Sequence, residues 1–390
     1  MQKIPCQSAR ISRVQTPVIP VIGEMIARHP GTISLGQGVV HYAPPPTVAQ
    51  AVAAAADDPR TYRYGLAFGI PELLDPIRAK LRNENGVRIG VERRIAVTAG
   101  SNMAFVNAVL AIADPGDEVI LLSPYYFNHE MAIRIAGCKP VVVATDGEYQ
   151  PDVASIAAAV TPRTRAVVTV SPNNPSGAVY PEATLRAINA LCRDHGIFHV
   201  SDEAYEYFVY DGGTHFSPAS IEGSEPHTIA CYTLSKAYGM AGWRVGYMVL
   251  PMLLEEAVKK IQDTNLICPA IMTQFAGAGA LKAGQAWCRS QISGFEKVRD
   301  TVLNELATLG DRIHLPRPGG AFYGLMRVNK RIEDMRLVEA LISDFGVAVM
   351  PGSTFGLTEH CYLRAAYGAL AAETVTEGIG RLVKGLGALI

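Results

Sequence analysis

The sequence predicts an α/β protein: a mostly parallel sheet with helices on both faces, followed by a smaller α+β unit. Three observations carry that expectation. Short Val- and Ile-rich runs bounded by turn residues alternate with segments of helical period between Ile95 and Leu250. That βαβα rhythm stops near Gly284 and gives way to mixed helix and strand signals. The chain has 390 residues, of which 49% are hydrophobic, 18% charged and 7% aromatic, enough for two or three domains around sizeable cores.

Taken in order, residues 1–45 include Pro44 and Pro45, read as irregular, and are expected to form an arm that packs with the small unit. Residues 46–284 form the large unit. Its alanine-rich stretch Ala51–Ala56 reads as part of a helix. Strands are expected at Ile95–Thr98, Glu118–Leu122, Pro140–Ala144, Ala166–Val170, Ile197–Val200, Thr228–Tyr232 and Val245–Leu250. Between them, Asn102–Ala113, Asn128–Ala136, Val153–Val160 and Pro181–Asp194 read as helices, so the strands run mostly parallel. Residues 285–390 form the small unit. It has a long helix Gln291–Leu309, a strand Ala321–Val328, a helix Arg336–Phe345, strands Val347–Met350 and Tyr362–Ala366, and a last helix to Ile390.

Composition narrows the function. Lys+Arg number 35 and Asp+Glu 36, a net charge of -1, without the basic excess of a nucleic-acid binder. Seven scattered cysteines with no C-x-x-C argue against a disulfide framework or a zinc site and for a reducing compartment. The N-terminal stretch has no apolar signal region, and no uninterrupted apolar run reaches about 18 residues. A cytoplasmic enzyme with no membrane, metal or nucleic-acid partner is expected.

Four segments carry the chemistry. Thr233–Gly246 reads TLSKAYGMAGWRVG and places Lys236 in a Ser/Gly-rich loop eight residues before Arg244. A deprotonated lysine forms a Schiff base with an aldehyde, and an arginine pairs with a phosphate dianion. Together they fit pyridoxal 5'-phosphate (PLP), although a surface lysine near a structural arginine has the same spacing. Asp202, at the end of a strand, can set a carboxylate against a pyridine nitrogen and keep it protonated; Tyr205 stands three residues on. Such an Asp can equally cap a helix. The loop Ser171–Gly177, SPNNPSG, offers the side-chain amide of Asn174. Thr98–Asn102 is a strand end, a Gly-Ser turn and a helix start, a candidate phosphate cradle as well as an ordinary cap.

The order and spacing of these segments resemble the class I/II, fold-type-I PLP-dependent aminotransferases, from about Ile33 to the C-terminal helix. SPNNPSG is similar to the family's N-P-x-N-P-[ST]-G. SDEAYEYF (Ser201–Phe208) resembles its D-E-x-Y block, and TLSKAYGMAGWRVGY its S-x-S-K…G-W-R-x-G-Y. Tyr64–Leu73, Pro124–Tyr126, Pro318–Tyr323, Pro351–Gly356 and Leu363–Arg364 add blocks in the same order.

The resemblance implies a fold-type-I large domain, a small C-terminal domain and bound PLP. It implies Lys236 as the Schiff-base lysine and proton carrier, and Asp202 at the pyridine nitrogen. Asn174 and Tyr205 would bond the ring oxygen, and Tyr126 would stack on the ring. Gly100, Ser101, Asn102, Thr233 and Arg244 would hold the phosphate. Ser235 is a weaker candidate, expected to point away from Thr233. Tyr64 would reach the phosphate of a second subunit, which implies a homodimer. Arg364 would grip the substrate α-carboxylate, helped by the backbone at Gly38 and by Asn174.

One stretch departs from the family's Gly-x-Pro-Asp-Phe type. Val39, Val40 and His41 replace an acidic residue, Pro and Asp, and Tyr42 follows as a candidate for the pocket rim or for simple packing. Gly36-Gln37-Gly38 has no third glycine and no helix start after it, so a dinucleotide loop is not expected. Tyr64, Tyr126, Tyr205 and Phe322 would make the site aromatic, while His129 and His195 read as structural or surface residues. No second Arg or Lys is evident for a side-chain carboxylate. The expected activity is ping-pong transfer of an amino group between an L-amino acid, neutral or aromatic favoured, and a 2-oxo acid. A lyase acting on C–S bonds, a cyclopropane-forming synthase or a cyclase would use the same cofactor residues. A non-catalytic ligand-binding regulator is the remaining alternative.

Overall fold

The structure, a computed structural model, describes residues 7–390. Cys6 lies outside the described residues, and the remaining six cysteines are buried free thiols.

The centre is a seven-stranded sheet. Its spatial order is Arg93–Thr98, Gly246–Pro251, Thr228–Thr233, Phe198–Asp202, Thr164–Val170, Glu118–Ser123 and Lys139–Ala144. Every neighbouring pair is parallel except the two made by Gly246–Pro251. The apolar runs are explained by burial on both faces. Val119 and Leu121 pack on one side with Phe105, Ile133 and Val200, whereas Ile120 and Leu122 pack on the other with Leu185 and Ile188. All expected strands of this sheet are present, with ends shifted by one or two residues.

A second, four-stranded antiparallel sheet has the order Met350–Pro351, Cys361–Ala366, Tyr323–Val328, Ile313–His314. Helices Asp334–Phe345 and Ala372–Leu389 pack together beside it.

Three expectations are corrected. The N-terminal region is not wholly irregular: Val18–Arg28 is a helix, and Ile33–Ser34 pairs in parallel with Val347–Ala348. The helix buries Val18 and Ile22, four residues apart on one face, and that apolar spacing is what orders it against the rest of the chain. The helix expected at Gln291–Leu309 is broken at Ser293 and Gly294, into Ile271–Ile292 and Phe295–Ala307. Glycine at the junction carries the break. The strand expected at Val347–Met350 is two short strands in different sheets, divided at Val349.

Helix Ile271–Ile292 is not legible as one element in the sequence, and it turns at Gly284 through φ 73°. It packs on helix Pro46–Ala55, where a Cβ at Gly279 would lie 2.5 Å from the Thr47 carbonyl oxygen. Glycine there permits close approach of the two helices at the expense of local helix propensity. No single helix among the described residues is long and apolar enough to cross a membrane.

Candidate active site

The carboxyl ends of the central strands open into a cleft of about 400 Å³. Several of these strands deliver their chemistry within a few residues of their ends. Phe198–Asp202 ends on Asp202, 4% exposed, whose Oδ1 accepts from the Ala204 N–H at 3.1 Å. Thr228–Thr233 ends on Thr233, and the chain turns immediately to present Ser235 and Lys236. After Thr164–Val170, Asn173 is spent on the loop itself, accepting from the Ser176 N–H and hydroxyl at 3.0 and 2.7 Å. Asn174 is thereby left facing the cleft.

Lys236 is partly buried and its Nζ donates to the Gly38 carbonyl. Burial, then the Arg364 charge, lowers its pKa from 10.5 to about 8, against the opposing pull of Asp202. The neutral amine therefore predominates above about pH 8. In cofactor-free protein, site-resolved amine acylation of Lys236 is expected to reach half its maximal rate near pH 8; a midpoint near 10.5 would contradict burial of this amine.

Arg364, from strand Cys361–Ala366, is 2% exposed. It donates to Asn174 Oδ1 at 2.9 Å and to the Gly36 carbonyl at 2.6 Å, and its Nε has no partner. Its guanidinium lies over the rings of Tyr323 and Phe355. A buried guanidinium with an unmet donor is suited to a carboxylate.

Asn174 Nδ2 donates to the Tyr205 hydroxyl at 3.4 Å, and Tyr205 shares a 2.6 Å hydrogen bond with Tyr323. Burial pushes the Tyr205 phenol well above its usual range and Tyr323 to about 12, so both remain protonated donors near neutrality.

The other end of the cleft is built for a second anion. Helix Ser101–Ile112 begins after Gly100, φ 83°, with no side chain capping its free N–H groups. A Cβ at Gly100 would run into the Arg244 guanidinium, so the turn requires glycine on both counts. Arg244 itself holds φ 53°, a strained backbone for a side-chain-bearing residue. Its Nη1 lies 3.5 Å from the Ser235 hydroxyl, and Ser235 donates its N–H to Thr233 Oγ1.

The structure thus gathers Lys236, Asp202, Tyr205, Ser101, Asn102, Tyr126, Asn174, Thr233, Arg244, Gly38 and Arg364 around one cleft, with Gly100 directly behind Arg244. Tyr64 is not among them; it is 82% exposed. Ser235 is a correction: it lines the same cleft as Thr233, which stands two residues before it, as the period-two alternation of an extended segment itself requires. Phe322 is another. It packs behind Tyr205 in the core, and Tyr323 takes the lining position. Tyr42 is not at the rim; its hydroxyl turns to the carbonyls behind Lys236. His195 is exposed, but His129 lies beneath the site, with Nε2 3.0 Å from Asp202 Oδ2 and its ring stacked on Phe105. Neither ring nitrogen is aligned for a hydrogen bond. Ile19, Gln37, Val39 and Phe127 also line the cleft. Gln37 and Val39 belong to the stretch that the sequence already singles out as departing from the family; sequence reasoning missed Ile19 and Phe127, which no motif marks.

The donor set matches PLP: an anion cradle at one end, a carboxylate at the base and a lysine of lowered pKa between. A family model described as aminotransferase class I and II matches residues 30–382. An aromatic aminotransferase of Arabidopsis thaliana is 34% identical over 392 residues, covering 98% of this chain and 97% of that protein. The aspartate/prephenate aminotransferase of Thermus thermophilus is 37% identical over 361 residues, 91% of each chain. The solved structure of an aspartate aminotransferase from Rhizobium meliloti superposes with a TM-score of 0.90 at 32% identity, covering 98% of both chains.

Proposed function

Since the chain belongs to the class I and II aminotransferases, which depend on PLP, we propose that it transfers the amino group of a neutral or aromatic L-amino acid to a 2-oxo acid through the residues gathered around Lys236. The carrying observation is the partly buried Lys236 amine in one cleft with Asp202 and the unmet Arg364 donor. The named relatives are all aminotransferases, which sets aside the lyase, synthase, cyclase and regulator alternatives.

In this reading Ser101, Asn102, Thr233, Ser235 and Arg244 hold the cofactor phosphate, with Gly100 giving Arg244 its room. Asp202 faces the pyridine nitrogen, Asn174 and Tyr205 bond the ring oxygen, and Tyr126 covers a ring face. When bound, PLP supplies an electron-withdrawing ring that takes up the electron pair left by breaking the substrate's Cα–H bond. Arg364 grips the α-carboxylate, and Asn174 Oδ1 fixes the plane of its guanidinium. Lys236 Nζ takes the Cα proton as a free amine, which its lowered pKa allows near neutrality. The same nitrogen then delivers a proton to complete the transfer.

Among the described residues the cations lining the cleft are Lys236, Arg244 and Arg364, each already committed. Ile19, Val39 and Phe127 line it as apolar groups. Both facts support a donor without a side-chain carboxylate. Assaying the standard amino acids against 2-oxoglutarate and pyruvate is expected to give the highest kcat/KM with an aromatic or neutral donor. Turnover confined to aspartate would contradict the donor class and leave the transferase assignment standing.

The proposal extends to a homodimer in the cytoplasm. Tyr62, Tyr64 and Leu66 are 80%, 82% and 65% exposed, an apolar strip that a second subunit would cover, with Tyr64 reaching the partner's phosphate site. Sedimentation is expected to give twice the 41.8 kDa of one chain; a 41.8 kDa species that is fully active would contradict it.

A further inference from the structure

The divergent segment Val39–Tyr42 has a second role. Leu35 to Tyr42 runs between the lysine turn and the arginine strand and bonds to both. The Leu35 carbonyl accepts from the Ala366 N–H at 2.6 Å, and the Gly36 carbonyl accepts from Arg364 at 2.6 Å. The Gly38 carbonyl accepts from Lys236 Nζ, and His41 Nδ1 lies 3.4 Å from the Gly368 carbonyl. At the end of the segment the Tyr42 hydroxyl stands 3.0 Å from the Ala237 carbonyl and 3.3 Å from the Lys236 carbonyl.

A phenol has one proton, so Tyr42 shares it between these two acceptors. The Lys236 carbonyl also accepts from the Gly239 N–H at 3.0 Å. The Ala237 carbonyl accepts from no other group among the described residues, and Ala237 is 4% exposed. Tyr42 is therefore what satisfies a buried peptide oxygen one residue beyond the reacting lysine. The ring is fixed in turn. It meets Trp287 edge-on at 5.8 Å, Phe295 at 6.3 Å and the His41 ring at 5.6 Å. Gly239, φ 65°, closes the packing, since a Cβ there would lie 2.8 Å from the Tyr42 carbonyl oxygen. A rigid aromatic cage thus holds the hydroxyl against the backbone that carries Lys236.

We propose that Tyr42 is a positioning residue for Lys236: its hydroxyl pins the Ala237–Tyr238 peptide, directly after the lysine, and through it sets where the amine stands during proton transfer. The inference rests on the assignment of Lys236 as the reacting amine. Its consequence is a separation of effects. Tyr42 lies behind the lysine and outside the cleft lining, so its hydroxyl acts on the proton-transfer step and not on the grip of Arg364 on the substrate.

The test compares Tyr42→Phe, which keeps the ring, with Tyr42→Leu, which removes it, both as holoenzymes. Tyr42→Phe is expected to lower kcat about tenfold, change KM for the amino donor less than about twofold, and shift the pH midpoint of the bound cofactor's visible absorbance by about half a unit. Tyr42→Leu should show the same kinetic loss together with a lower Tm. A Tyr42→Phe enzyme with wild-type kcat and absorbance midpoint overturns the proposal, and so does a loss of activity seen only in Tyr42→Leu, which would make the ring a packing group. A wild-type enzyme that shows no visible cofactor band overturns this inference together with the function on which it rests.

Discussion

Lys236→Ala is expected to abolish the Schiff-base absorbance of the holoenzyme and to lower kcat by about 10,000-fold, the upper end of what a positioned acid–base group contributes. The magnitude follows from two losses at one atom. Nζ is the amine that tethers the aldehyde, and it is also the amine that carries the proton. Among the described residues no other lysine lines the cleft to replace it. Asp202 remains in place after the substitution, and so do the anion-holding groups at Ser101, Thr233 and Arg244. The variant should therefore still bind PLP non-covalently. Absorbance spectra and single-turnover rates check both parts. Normal turnover by the variant would show that another amine does the chemistry.

Arg364→Ala is expected to reduce kcat/KM about 150- to 5,000-fold, chiefly through KM, because removing one partner of a buried charge pair costs about 3–5 kcal/mol. Arg364 is 2% exposed and its Nε is unmet, so little water competes for the substrate carboxylate. The loss should be common to every donor, since the α-carboxylate is shared by all amino acids. Substituting Val39 or Ile19, by contrast, would alter the ranking of donors. Steady-state kinetics with three donors of different side chain distinguish the two. An unchanged KM for all three would remove Arg364 from the substrate site. The substitution also frees Asn174 Oδ1 and the Gly36 carbonyl, so part of the decline will appear in kcat as the Asn174–Tyr205 contact loosens.

Much of the fold and site is legible in the sequence, for identifiable reasons. The strands of the central sheet, the edge strand Lys139–Ala144 apart, are buried on both faces, so Val and Ile runs mark them. The cofactor-side residues sit within a few positions of strand ends, so Asp202, Asn174 and Lys236 occur in compact local motifs. Elements shaped by tertiary contact are harder to read. Helix Ile271–Ile292 contains Gly277, Gly279 and Gly284, a poor helix by local preference, and packing on Pro46–Ala55 holds it together. Tyr323 takes the place expected of Phe322 because the chain is still turning at Ala321, φ 53°, and the strand starts only at Tyr323. His129 and Ile19 lie far from Lys236 along the chain and reach the site only through the fold. No local pattern records such an approach.

The central claim is a covalent link between Lys236 and the cofactor aldehyde. Borohydride reduction of the holoenzyme, followed by digestion and mass spectrometry, tests it most directly. The account predicts a pyridoxyl adduct on the peptide that carries Lys236 and on no other lysine. An adduct on a different lysine, or none in protein saturated with PLP, would contradict it.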